Sequence, residues 1–225
     1  MNILEIYKKY QIMPQLAEHQ LRVAAVGELI CADWYRGMTR NLTRNDAEAV
    51  IDRHNIVAAC LLHDMGNIIK FDLEKAQNLL NRKIDIAHWQ KVKDEYIKKY
   101  GGDEHIASIL ICKEIGVNPR VIELVDVIGF LTAALNAKGE DFGKKICQYA
   151  DDRVGPLGVI SLEERFMDLR KRYQNHKNNT QIRVDFENSL RQIEKQIFGH
   201  CNIKPEDITE ETITDRKERL KGFDI

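Results

Sequence analysis

Four residues of this chain carry side chains that could bind one divalent metal ion together. They are His19, the adjacent pair His63 and Asp64, and Asp151. Each lies beside an apolar stretch with helical spacing, so the four side chains are expected to point from helices toward a shared core. Imidazole and carboxylate ligands suit Mn, Fe, Co, Ni or Zn, and carboxylates also suit Mg. The pattern therefore predicts a divalent metal site and leaves the metal's identity open.

Each of these residues also has an ordinary structural interpretation. His19 lies on the apolar face of its stretch, where hydrogen bonds alone would satisfy a core histidine. Asp64 is expected near a helix C-terminus, a poor position for an acid unless a cation lies close by. Asp151 precedes Asp152 and Arg153, so a surface ion pair is its structural alternative. Only the combination of the four favours a metal site.

The elements that must position these residues are all helical. Capping residues precede successive apolar stretches, and no alternating pattern indicates paired strands. The predicted helices cover about residues 14–34, 43–64, 72–80, 85–100, 103–116, 118–137, 141–151, 161–173 and 181–198, with a last one from 205. In addition, Gly66 is expected to end the second of these helices as a C′ residue. The fold class predicted is all-α, a helical bundle.

Two parts of the chain are distinguished by what they contain. Residues 1–160 hold the four metal-ligand candidates and are expected to form one domain. Residues 161–225 are more charged and hold none of the four, so they are interpreted as a C-terminal helical extension packed on the core. The break between the two parts is placed at Gly155 and Pro156.

Composition narrows the range of partners. The formal net charge is −1, from 34 basic and 35 acidic side chains, which does not suggest binding to long nucleic acid. No apolar stretch is long enough to span a membrane, and the N-terminus lacks the apolar region of a signal peptide. Five widely spaced cysteines without a CxxC pattern favour a reducing, cytoplasmic compartment. A homo-oligomer is left open.

Three segments resemble the HD superfamily of metal-dependent phosphohydrolases. AEHQLRVAAVGELI resembles the helix with the first histidine, LLHDMGNIIK the HD-x-G-[KN] signature, and ICQYADDRV the closing aspartate motif. The resemblance implies an HD-domain bundle whose metal ligands are His19, His63, Asp64 and Asp151. It also implies hydrolysis of a phosphate ester of a small metabolite or nucleotide by metal-activated water, with Asp64 helping to orient that water.

Further residues are candidates for substrate or for a second metal. Arg22 lies one helical turn after His19 and is expected to neutralise phosphoryl charge as a catalytic and substrate-binding residue. Arg153 and Lys70 are weaker candidates of the same kind, and a solvated surface charge is the alternative for all three.

A second metal would need more ligands. His105 resembles the next motif histidine of related phosphodiesterases and is a candidate for substrate contact or, with His88, for a second metal site. The chain departs from the HD-GYP pattern, because Val127 and Ile128 stand where that family has two histidines.

Two other functions are compatible with the same scaffold. A dinuclear-iron oxygenase of the HD type would need a complete second metal site. A non-catalytic HD-type sensor or interaction module would keep the fold and use the polar C-terminal helices as a surface. Fold alone does not decide between them.

Overall fold

The computed structural model describes residues 1–38, 51–75, 84–172 and 180–225, and these confirm the all-α fold. Helices dominate the described ranges, and one small two-stranded hairpin accompanies them. The α-helices are α1 (Ile3–Lys9), α2 (Pro14–Met38), α3 (Arg53–Leu62), α4 (Ile86–Tyr100), α5 (Glu104–Ile115), α6 (Pro119–Asp126), α7 (Ala133–Lys138), α8 (Phe142–Asp152), α9 (Leu162–Arg172), α10 (Thr180–Phe198) and α11 (Glu210–Leu220). Short 3₁₀ helices cover Asn67–Lys70 and Pro205–Asp207, and the hairpin pairs β1 (Val154–Gly155) with β2 (Gly158–Val159).

Capping residues set several of the predicted helix starts. The side chains of Asp85, Asp103 and Asp141 each accept a hydrogen bond from the backbone N–H three residues later, at the starts of α4, α5 and α8. Before α9, Ser161 and Glu164 form the reciprocal capping box that their spacing predicts. These local bonds satisfy donors that a helix start would otherwise leave unpaired.

The single long helix predicted over residues 118–137 is wrong. Helix α6 ends at Asp126, and α7 begins only at Ala133. Between them, the Thr132 hydroxyl donates to the carbonyl of Val127 at 2.8 Å, and the Asn136 amide donates to the same oxygen at 2.9 Å. The Val127 carbonyl thus accepts from side chains instead of from the backbone N–H that would continue the helix. The apolar pattern alone does not reveal this break.

Two further expectations are corrected in detail. Helix α3 ends at Leu62, and Gly66 has a φ of −90°, so it is not a left-handed C′ residue. The break at Gly155 and Pro156 is a β-hairpin turn, although no strands were predicted. The expected helix start at Thr43 and Asp46 and most of the 72–80 helix lie outside the described residues.

Helix α2 is the central element that positions the rest. It packs against α3 and α8, which carry the other candidate ligands, and against α11 from the C-terminal part. Most of its apolar face is buried, and the Trp34 ring near its end stacks on His200 and contacts Phe142 at a tilt. No α-helix in the described parts of the chain has the length and apolar character needed to cross a membrane.

The C-terminal residues fold back onto the first part of the chain. The buried Asp33 carboxylate accepts from the backbone N–H of Asn202 and of Ile203. The N–H of Ile3 donates to the carbonyl of Phe223 at 2.9 Å, so the two ends of the chain meet. Residues 200–225 therefore lie along α1 and α2.

Candidate metal centre

Three helices bring the four predicted ligands to one place. His19 projects from the second turn of α2, His63 and Asp64 follow the last residue of α3, and Asp151 lies in the last turn of α8. Because α2 packs on both α3 and α8, residues that are 132 positions apart in sequence meet. The convergence that the sequence predicts is found.

The distances among the ligand atoms are short. The Nε2 atom of His19 lies 3.1 Å from Oδ1 of Asp151 and 3.6 Å from Oδ2 of Asp64. Nε2 of His63 lies 3.3 Å from the same Asp151 oxygen and 3.6 Å from the same Asp64 oxygen. One ligand atom each from His19, His63 and Asp64 falls in a group within 4.8 Å, and Asp151 adjoins it.

The orientation of His63 is fixed by the backbone. Its Nδ1 lies 2.9 Å from the carbonyl oxygen of Cys60. Because a carbonyl only accepts, Nδ1 carries the proton in the neutral ring, and Nε2 presents its lone pair to the carboxylates. A carbonyl partner on the far nitrogen is the usual arrangement for metal-bound histidines.

A cation would balance the negative charge of the two carboxylates in this group. Burial works against charge on His63, but Asp64 and Asp151 outweigh it and raise the pKa of His63 to about 10. Burial alone would raise the pKa of Asp151, yet the neighbouring imidazoles of His19 and His63 hold that pKa well below its usual range. The two carboxylates therefore draw positive charge into the space between the four side chains.

The residues present fit a divalent metal. The Nε2 atom of His63 is buried and has no hydrogen-bond partner of good geometry within the described residues, which is costly unless something else binds it. Ligand atoms at about 2.0–2.2 Å from one ion are separated by roughly 3–3.5 Å. The four histidine-to-carboxylate separations, 3.1–3.6 Å, lie in or near that range.

Two side chains that were not among the predicted site residues accept hydrogen bonds from the backbone of the turn after His63. Gln20 is fully buried, and its Oε1 accepts from the N–H of Asp64 at 3.3 Å. The N–H of Gly66 donates to the Ser108 hydroxyl at 2.9 Å, and that hydroxyl donates to the carbonyl of Glu104. Gln20 directly follows His19 in the sequence, and this adjacency is the one sequence signal that points to it.

A second buried acid lies directly behind Asp151. Asp152 accepts from the Gln148 amide at 2.8 Å and lies 3.6 Å from Nε of Arg165 in α9. Burial, opposed by Arg165 and reinforced by Asp151, raises the pKa of Asp152 to about 7. Asp152 is therefore not part of a surface ion pair and instead links α8 to the C-terminal part of the chain.

Arg22 and Arg153 are held by other parts of the protein. Nε of Arg22 donates to both carboxylate oxygens of Glu210 in α11, at 2.8 and 3.0 Å, and its terminal nitrogen lies 3.0 Å from Glu18. Arg153 is buried, contrary to the surface alternative. Its guanidinium donates to the carbonyls of Ile160, Pro205 and Ile208 and to the Tyr149 hydroxyl. These contacts anchor the C-terminal segment, so Arg153 is not carried into the proposed site.

The other candidate histidines lie apart from the group. Nε2 of His105 lies 3.2 Å from the carbonyl oxygen of Asp126 and 3.3 Å from its carboxylate. His88 is exposed and packs edge-on against Trp89. Neither belongs to the ligand group found among the described residues, so the structure does not assemble the second metal site considered from the sequence.

The family follows from this fold and site. The family model named HD domain matches residues 16–151, which include all four candidate ligands and more than half of the chain. The chain therefore belongs to the HD domain family, a superfamily of metal-dependent hydrolases, as its motifs predicted. No curated protein and no solved structure matches it.

Proposed function

We propose that the protein is a metal-dependent phosphohydrolase that cleaves a phosphate ester of a small metabolite or nucleotide. The observation that carries this proposal is the meeting of His19, His63, Asp64 and Asp151, with each histidine Nε2 atom 3.1–3.6 Å from an oxygen of both carboxylates. A divalent ion held there would act as a Lewis acid and lower the pKa of a bound water. Membership of the family supports the class of reaction.

The roles of the chain's own residues follow from their positions. Cys60 holds the His63 ring so that Nε2 stays aimed at the carboxylates. Gln20 fixes the backbone of Asp64, and we assign to the Asp64 carboxylate the second role of accepting a hydrogen bond from the attacking water and orienting it. His19, Asp64 and Asp151 each keep about a fifth of the side chain exposed, which leaves one side of the group open to substrate.

The competing functions have less support. A dinuclear-iron oxygenase needs a second set of ligands, and His88 and His105 do not join the group. A non-catalytic sensor could tolerate the loss of a ligand, but all four are present and converge. The class of substrate and the cytoplasmic location stay predictions from the sequence, which leaves the identity of the metal and of the particular substrate open.

Metal content and activity test the proposal together. Elemental analysis of the purified protein should find about one divalent ion per chain. A screen over nucleotides and sugar phosphates should find phosphate release that a chelator removes. Asp64→Asn should lose both metal and activity while its helical circular dichroism stays near wild type. The matched control is Asp94→Asn, on exposed α4 surface, which should keep both.

Two outcomes would overturn the proposal. Full phosphatase activity in Asp64→Asn would exclude the assigned mechanism. A metal-loaded wild-type protein that releases no phosphate from any member of the panel would exclude the reaction class and favour the non-catalytic alternative.

A further inference from the structure

Lys70 is fixed close to the HD pair by the backbone. It ends the 3₁₀ helix Asn67–Lys70, which begins two residues after Met65. The N–H of Asn67 donates to the carbonyl of Asp64 at 3.1 Å, and Ile68 and Ile69 are buried in the core. The short helix is therefore tied to the backbone of Asp64 and to the core, which sets the position of the Lys70 backbone relative to the metal centre.

The Lys70 ammonium lies at an acidic edge of this site. Its Nζ is 3.4 Å from Oε1 of Glu104, and the side chain is 53% exposed. Burial of its stem lowers the pKa of Lys70, but Asp64, Glu104 and Asp151 outweigh this and raise it above its usual value. The ammonium therefore stays charged at neutral pH and lies within electrostatic reach of two candidate ligands.

Lys70 differs in its contacts from Arg22 and Arg153, the two arginines that are also candidates for binding a phosphoryl group. Arg22 is shared between Glu18 and Glu210, and Arg153 is buried with carbonyl partners. Of these three cations, only Lys70 is largely exposed and paired with a single carboxylate at more than 3 Å. A phosphomonoester approaching the metal ligands would meet the charges of Asp64, Asp151 and Glu104, so it needs a cation on the protein as well as the metal.

We propose that Lys70 binds the phosphoryl group of the substrate beside the metal centre, and that Glu104 holds the ammonium in place until that group displaces it. The inference rests on the proposed function and adds a residue for phosphomonoester recognition. Lysine suits this role because its compact ammonium can redirect three donors from a carboxylate to phosphate oxygens. Glu104 acts only through Lys70, as the carboxylate that the phosphoryl group must displace from the ammonium.

Inorganic phosphate is the probe for the test. Calorimetric titration of phosphate into the metal-loaded full-length protein should show binding about 10- to 100-fold weaker in Lys70→Met than in wild type. Lys70→Arg should recover most of the affinity. Glu104→Gln should bind phosphate about two- to fivefold more tightly, because the competing carboxylate is gone. A merely structural ion pair would not give opposite signs for its two partners.

The control separates Lys70 from other lysines. Lys75 is an exposed lysine paired with Asp72 at 2.9 Å, and Lys75→Met should leave phosphate affinity unchanged. Metal content should equal that of wild type in every variant. The change in phosphate affinity would then not be due to loss of the metal ion.

The outcomes distinguish this inference from the function on which it rests. Equal phosphate affinity in wild type and Lys70→Met, or wild-type protein that binds no phosphate, overturns the role of Lys70. Phosphate binding that depends on Lys70 in a protein without phosphatase activity would keep the role of Lys70 and overturn the hydrolase proposal.

Discussion

Gly66 lies so close to α5 that a Cβ atom on it would come within 2.2 Å of the carbonyl oxygen of Glu104. It would also come within 2.7 Å of the Ala107 methyl and 2.9 Å of the Ser108 nitrogen. The turn that carries His63 and Asp64 is therefore set against α5 by direct backbone contact. Since the φ of Gly66 is −90°, the requirement for glycine comes from space and not from backbone conformation.

Gly66→Ala should accordingly destabilise the protein by about 1–3 kcal/mol, as overpacking a close contact does. It should also weaken metal binding, because the turn must move away from α5. Urea unfolding and metal titration measure the two effects. Gly102→Ala is the matched control, since a Cβ there meets nothing within 4 Å, and it should change stability by less than about 0.5 kcal/mol. Equal stability of the two variants would contradict the close approach.

Metal affinity should rise with pH. The pKa of His63 is raised to about 10 in the metal-free protein, so near neutral pH its ring carries a proton that a metal must displace. With one proton released per ion, affinity should fall about tenfold for each pH unit below about 9. Metal titration between pH 6 and pH 9 measures this slope. An affinity independent of pH over that range would show that His63 is not a ligand.

Arg153→Met should destabilise the protein strongly. The change leaves the carbonyls of Ile160, Pro205 and Ile208 without their charged donor, at a cost of about 1–3 kcal/mol for each buried group that no other donor reaches. Urea unfolding should show the loss, while the folded fraction should keep its metal. Arg219→Met, at an arginine whose side chain is 65% exposed, should cost less than about 1 kcal/mol. A stable Arg153→Met protein with weakened phosphate binding would instead restore the substrate role expected from the sequence.

Local signals explain why much of the fold could be predicted. Caps such as Asp103 and Asp141 bond to the backbone three residues later, and apolar spacing marks the helix faces on which His19 and His63 lie. The all-α class and the convergence of the four ligands follow from such signals together with motif order. The break in the predicted 118–137 helix could not be predicted, because the apolar pattern continues through the non-helical residues between α6 and α7.

The parts that could not be predicted depend on partners far away in sequence. Arg22 follows His19 by one helical turn, and the sequence predicts that it contacts substrate. In the structure, its guanidinium donates instead to Glu210, 188 residues later. The sequence predicts that Gly66 ends a helix. In the structure, glycine is required there because α5, about forty residues later, leaves no space for a Cβ atom. Nothing near Arg153 in the sequence indicates that its acceptors include Pro205.

Removing the C-terminal segment should destabilise the metal-binding part of the protein. A chain ending at residue 199 loses the buried side chains of Ile208, Ile213 and Leu220, each contributing about 1.5–3 kcal/mol. It also loses two acceptors of Arg153. The sum is a large fraction of the stability of an ordinary domain, so the thermal midpoint should fall sharply or folding should fail.

A point variant keeps this last prediction testable if the truncated chain does not fold. Ile213→Ala in the full chain should cost about 2–5 kcal/mol, because the side chain is fully buried. All four candidate ligands precede residue 152, so the folded variant should retain its metal, as elemental analysis can show. A truncated protein as stable and as active as the full chain would mean that residues 200–225 are an independent appendage, despite their contacts with α1 and α2.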